Sequence, residues 1–124
     1  MYSSRPEPEA AYDLYQRGLR LLQEGHPHQA ATVLTRAKAL EPEKASIREA
    51  LGRALYMSGR PTRARLEFAK TVKLNPADDY AHFALATACE RTGERQRAIA
   101  HAKLAAALHP GVQAYERILR RLCA

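Results

Sequence analysis

The chain has no tryptophan and only two cysteines, Cys89 and Cys123, in 124 residues. Two thirty-odd-residue-separated thiols build no disulfide scaffold and lack the paired spacing of a zinc site. No window approaches about 18 consecutive apolar residues, the length a membrane-spanning helix needs. The N-terminal stretch MYSSRPEPEA has neither a charged n-region nor an apolar h-region with a cleavage site. The expected compartment is therefore the cytoplasm. The six glycines are scattered and form no phosphate-cradling loop. The five histidines assemble no nucleophile or acid–base constellation, and His26-x-His28 lacks the carboxylate or cysteine partners of a metal site. These absences point to a non-enzyme without cofactor or metal.

What is present is helix-forming and basic. The sequence is 46% hydrophobic and 27% charged, in the range of a single globular domain. It holds 24 alanines, and 15 arginines against 5 lysines, a bias that favours helix and matches a GC-rich bacterial genome.

Sliding the sequence on itself by 34 residues aligns Gly25, Gly59 and Gly93, then Ala30, Ala64 and Ala98, then Pro42, Pro76 and Pro110. The same offset pairs Gly18 with Gly52 and Ala86, Leu21 with Leu55 and Cys89, and Leu34 with Phe68 and Ala102. Glycine accepts the positive φ that turns one helix into the next, a small residue lets two helices approach, and proline marks a helix exit. The punctuation predicts helices over about Glu9 to Glu24, Pro27 to Leu40, Glu43 to Ser58, Pro61 to Leu74, Asp78 to Thr92 and Glu94 to Leu108. Pro27 and Pro61 open helices at the first position, where a missing N–H costs nothing, and Asp78 or Asp79 serves as an N-terminal cap. A final amphipathic segment over about 112–123, with Tyr115, Ile118, Leu119 and Leu122 on one side, reads as a capping helix. Residues 1–8 read as a mobile tail, and 9–124 as one domain.

On these residues the chain resembles the tetratricopeptide repeat (TPR) family, with repeats over about 11–44, 45–78 and 79–112. Leu51, Gly52, Gly59, Ala64, Phe68 and Pro76 stand where repeat 2 of such a protein carries its signature. Repeat 3 departs by Ala86 and Ala102, and the usual early aromatic is replaced by Leu14, Arg48 and His82, where looser packing is expected. The resemblance implies an all-α, right-handed superhelical solenoid of three helix-turn-helix units with a capping helix. It further implies a concave groove lined by the first helix of each repeat. Carried over position by position, the groove residues are Tyr12, Tyr15, Leu19, Leu22, Glu49, Arg53, Tyr56, Met57, Tyr80, Phe83, Thr87 and Arg91.

Tyr15, Tyr56, Tyr80 and Phe83 are expected to form one continuous surface for a protein or peptide partner, apolar with some acidic residues. The Lys/Asn/Arg clamp that captures acidic C-terminal tails in some family members is absent, its positions holding Tyr15, Leu19, Ala50, Tyr80 and Ala84. In repeat number the chain is similar to bacterial secretion chaperones that cradle an unfolded segment. Two alternatives stand beside this adaptor reading. The net charge of +7 is concentrated in repeat 2 and the cap, and Arg60, Arg63, Arg65, Lys70 and Lys73 could serve nucleic acid. A homodimer could also occupy its own groove.

Overall fold

The computed structural model describes the backbone from Glu7 and side chains from Ala10 to Ala124. The first six residues of the expected tail lie outside the described residues, while Glu7 and Pro8 belong to a helix. Seven helices follow in order: α1 (Glu7–Gln23), α2 (Pro27–Leu40), α3 (Ala45–Met57), α4 (Pro61–Leu74), α5 (Asp79–Arg91), α6 (Arg95–Leu108) and α7 (Gln113–Leu122). No strand occurs among the described residues. The helix α3 begins two residues later than its composition suggests, because the Lys44 amide turns back to the Glu41 carbonyl at 3.3 Å before the helix can start. Of the two candidate caps it is Asp78 whose Oδ1 accepts from the Ala81 amide, at 3.1 Å.

The three hairpins turn identically. Gly25, Gly59 and Gly93 sit at φ 83°, 82° and 81°, a region closed to most side chains. The next amide in each case donates to a carbonyl five residues back at 2.8 Å, from His26 to Leu21, Arg60 to Leu55 and Glu94 to Cys89. That reverse bond satisfies a carbonyl the helix end leaves orphaned. Helices pack in sequence order, as α1 on α2, α2 on α3, and so on to α7. Further contact joins α1 to α3 and α3 to α5, but nothing comparable joins α2 to α4 or α4 to α6. The first helices thus form a tight inner layer, and the second helices splay on the convex side.

One small-against-large pair sets the approach within each hairpin. A Cβ added at Gly52 would lie 2.5 Å from Cε1 of Phe68, and one added at Gly18 would collide with Leu34. Repeat 3 solves the same contact with Ala86 and Ala102, both fully buried: the methyl gained on one helix matches volume removed from the other. Cys89 is also fully buried, and burial pushes its thiol above the ordinary range.

At the positions of Leu14, Arg48 and His82 the repeats differ: Leu14 and Arg48 are half-buried and His82 is buried. Arg48 Nε donates to the Pro42 carbonyl at 2.9 Å, and His82 Nε2 to the equivalent Pro76 carbonyl at 2.8 Å. A polar side chain here latches the preceding inter-repeat turn. Its partner on the second helix is Glu67 in repeat 2 and His101 in repeat 3, and the equivalent position of repeat 1 holds Val33. Arg48 and Lys38 both pair with the buried Glu67, at 3.1 and 2.8 Å, tying α2, α3 and α4 together. His82 and His101 stack at 5.2 Å, with their Nδ1 atoms 3.0 Å apart. Because Pro76 offers only a carbonyl, His82 holds its proton on Nε2, so neutral His82 accepts at Nδ1 and His101 donates.

Two outcomes follow. Gly52→Ala should destabilise the protein, since overpacking costs about 1–3 kcal/mol and exceeds the helix-propensity gain of about 1 kcal/mol. In a Phe68→Ala background the same substitution should stabilise, because the ring it struck is gone; urea denaturation of the four proteins reads this reversal of sign. The second outcome concerns pH. Burial, then the charge of His82, holds the His101 imidazole below its ordinary value. The unfolded chain therefore binds the proton first, and stability falls as pH drops through about 6.5. His82→Leu/His101→Val, built on the pattern of repeat 1, should lose less stability between pH 7 and pH 5 than the wild type. Equal losses would remove the pair as the cause.

Candidate functional site

Helical spacing puts one face of α3 and of α5 on the concave side. There Arg53, Tyr56 and Met57 of α3 and Tyr80, Phe83, Ala84 and Thr87 of α5 line a pocket of about 230 Å³, with the ring of Phe68 from α4 at its floor. Its lining is almost wholly apolar, and Met57 and Tyr80 are 55% and 41% exposed, so the mouth is open to solvent. Thr87 turns its hydroxyl back to the Phe83 carbonyl at 3.0 Å and presents its methyl instead.

The pocket gathers six of the twelve groove residues expected from sequence. Tyr12 and Tyr15 are elsewhere, in a second concavity of about 370 Å³ with Ala11, Glu41, Lys44, Ser46 and Ile47. The expected aromatic positions thus fall in two concavities, while the half-buried Tyr15 and Tyr56 both pack against the main core cluster. Leu22 is a core residue at 5% exposure, since its short side chain stays inside the hairpin where Tyr56, one repeat later, reaches out. Leu19 is half-buried against the same core.

The remaining positions set the electrostatics. Arg91 is exposed, with its guanidinium 5.4 Å from the Tyr56 ring centre, in cation–π range. Glu49 is half-buried; burial raises its carboxyl, partly offset by Arg53. Tyr80 is likewise raised by burial and then by Glu49. At the far edge Glu90 is held by a bidentate pair with Arg121 of α7, at 2.7 and 3.0 Å. The rim is mixed in charge, and Arg53 is the one charged residue in the pocket lining.

Sequence reasoning missed two contributors. Phe68 stands in the sequence only as a signature residue of repeat 2, yet its ring helps line the pocket. Tyr115 of the capping helix was read only as apolar cover. Its buried ring lies 5.1 Å from Phe83, which is itself 6.1 Å from Tyr80, so three rings run from the cap into the groove. The Tyr115 hydroxyl donates to Asp79 Oδ2 at 2.6 Å. Burial, followed by this bond, holds the phenol well above its ordinary range, and the same bond chiefly holds Asp79 below its own. The helical spacing that marked Tyr115 as inward-facing could not say which ring it would meet.

Elsewhere His26 and His28 are exposed, and no group of three or more metal-ligating side chains occurs among the described residues. No described helix is long and apolar enough to cross a membrane.

Stacked helical hairpins of equal length with a lining of aromatic residues on the inner layer define a helical-repeat solenoid. The tetratricopeptide repeat family model matches residues 15–79 and 58–113, and the chain belongs to that family. No curated protein sequence matches significantly. Among solved structures, the Arabidopsis OM64 TPR domain superposes with a TM-score of 0.91 at 19% identity, covering 94% of this chain and 97% of that one. The first TPR of Spaghetti (RPAP3), bound to the HSP90 peptide SRMEEVD, gives 0.89 at 16% identity, covering 93% and 91%. The Yersinia enterocolitica type III secretion chaperone SycD, in complex with a peptide of the translocator YopD, gives 0.85 at 17% identity, covering 98% and 95%. At these identities the likeness is one of fold.

Tyr115→Phe should cost about 1 kcal/mol at neutral pH, the ordinary worth of a hydrogen bond. Asp79 has a depressed carboxyl, so its bond is complete above the unfolded value near pH 4 and is lost as pH falls through the folded one. The stability gap between variant and wild type, followed by denaturant titration, should shrink below about pH 4.

Proposed function

We propose that the protein is a non-enzymatic interaction module that holds an apolar segment of a partner polypeptide in the concave pocket between α3 and α5. The observation that carries this reading is the pocket itself: about 230 Å³, built from rings and methyl groups, open to solvent and bordered by Arg53. That volume is below the usual range of small-molecule sites, about 300–1,000 Å³, and suits one bulky side chain such as Leu or Phe. Arg53 at the border favours a segment with an acidic residue beside its apolar anchor.

Peptide-bound relatives support the mode of use. The first TPR of RPAP3 holds an HSP90 peptide, and SycD holds a translocator peptide. The acidic tail SRMEEVD is not the ligand we propose here. Tyr15, Leu19, Ala50, Tyr80 and Ala84 occupy the clamp positions and offer no cation to a terminal carboxylate.

Selection from a displayed peptide library tests the reading. Enriched sequences should share one bulky apolar residue, and Tyr56→Ala or Phe83→Ala should weaken their binding at least about tenfold, as loss of a buried anchor does. Arg65→Ala on the convex side should change binding little, and circular dichroism should show that the fold is kept. Intact binding in a folded Tyr56→Ala/Phe83→Ala protein, with loss in Arg65→Ala, would move the site off the groove.

A further inference from the structure

The second helices α2, α4 and α6 carry nine of the twenty Lys and Arg residues but one of the thirteen acids, Glu67, and that one is buried. The rest of the chain is close to neutral, so the net charge of +7 resides on the convex layer. Part of it is spent internally. Arg65 and Arg97 pair with Glu94, Lys38 pairs with Glu67, and Lys70 pairs with Glu43.

Arg36, Arg60 and Arg63 are different. They line one cleft of about 360 Å³ between α2 and α4, with Thr32 and Thr35 on its wall and the buried Leu55 beneath. Among the described residues none of the three has a carboxylate partner, and Arg60 reaches only the Ser58 hydroxyl, at 3.3 and 3.4 Å. The N-terminus of α4 opens beside them with neither a side-chain cap nor an acid in its first turn, so the positive end of its dipole is uncompensated. Three like charges and a helix end in one recess repel one another, and an anion there relieves the repulsion.

The charge decides which anion. Three guanidinium forks match a phosphate monoester, which carries about −1.5 to −2 at pH 7, better than a single carboxylate. A nucleic-acid backbone offers one charge per phosphate along a track and gains from ring stacking. Neither α2 nor α4 exposes an aromatic residue, and the three arginines share a recess, not a track. One helical turn beyond Arg63, Leu66 stands 60% exposed, an apolar contact for a neighbouring side chain. We propose that this convex cleft binds a phosphoserine or phosphothreonine of a partner polypeptide, with Arg36, Arg60 and Arg63 holding the phosphate. The site is independent of the concave groove.

A synthetic phosphothreonine peptide flanked by alanines, too small to fill the concave pocket, is titrated into labelled protein as the test. The amides of Thr32, Thr35, Arg60 and Arg63 should shift saturably, with at least about tenfold preference over the unphosphorylated peptide, and binding should weaken as pH falls through about 6. Arg36→Gln and Arg63→Gln, both at exposed positions, should each cost about tenfold, the scale of one charge-assisted bond, while Tyr56→Ala should leave binding unchanged. Inorganic phosphate should also raise the melting temperature above that in chloride of equal ionic strength, an effect removed in Arg36→Gln/Arg63→Gln. Equal binding of the unphosphorylated peptide would overturn the proposal. So would tighter binding at these amides by single-stranded RNA or by phosphoinositide-containing vesicles, or a phosphate effect that survives the double substitution.

Discussion

The distance between the two helices of a hairpin is set where a residue without a side chain meets a large one: Gly18 under Leu34 and Gly52 under Phe68. Because interiors are packed to crystal-like density, a contact of this kind admits one separation and little else. Repeat 3 keeps that separation with two alanines, Ala86 and Ala102. What recurs along the chain is therefore a volume shared across an interface, and the residues that supply it are exchangeable in pairs. The groove inherits its shape from this rule. Phe68 is held by Gly52 behind it and closes the floor of the concave pocket in front.

A second shared position works through polarity. Leu14, Arg48 and His82 occupy one place in successive repeats, opposite Val33, Glu67 and His101. A buried ion pair in repeat 2 and a histidine stack in repeat 3 fill equivalent space, and both also catch the carbonyl of the preceding proline. The buried carboxylate of Glu67 is tolerated because Arg48 and Lys38 both reach it. The three repeats consequently differ in how they respond to acid, since in repeat 3 burial holds the His101 imidazole below its ordinary range.

The two faces divide the chemistry of the molecule. The inner layer carries rings with a rim of mixed sign, and the outer layer carries nearly all of the net positive charge. In the linear sequence this separation is hidden, since acids and bases alternate through every repeat. It emerges because the acids cluster in first helices and turns, while second helices are almost free of them. Ion pairs to Glu94 and Glu43 then cross between repeats and leave Arg36, Arg60 and Arg63 unpaired in the outer cleft.

The helices, their turns and the family were legible in the sequence because they follow from local rules. Glycine at positive φ, proline at a helix start and a 34-residue period act over a few residues each, and all were visible without coordinates. The identity of six pocket residues was legible for the same reason, since helical spacing assigns them to one face. Other features depended on distances between helices that no local rule supplies. Tyr15 and Tyr56 share a face yet belong to separate concavities, and Leu22 shares it yet is buried. The tilted contact of Tyr115 with Phe83 and the pairing of His82 with His101 likewise arise only when helices dock. Periodicity determines which way a side chain points; tertiary packing determines how far it reaches, what it meets there and whether solvent still finds it.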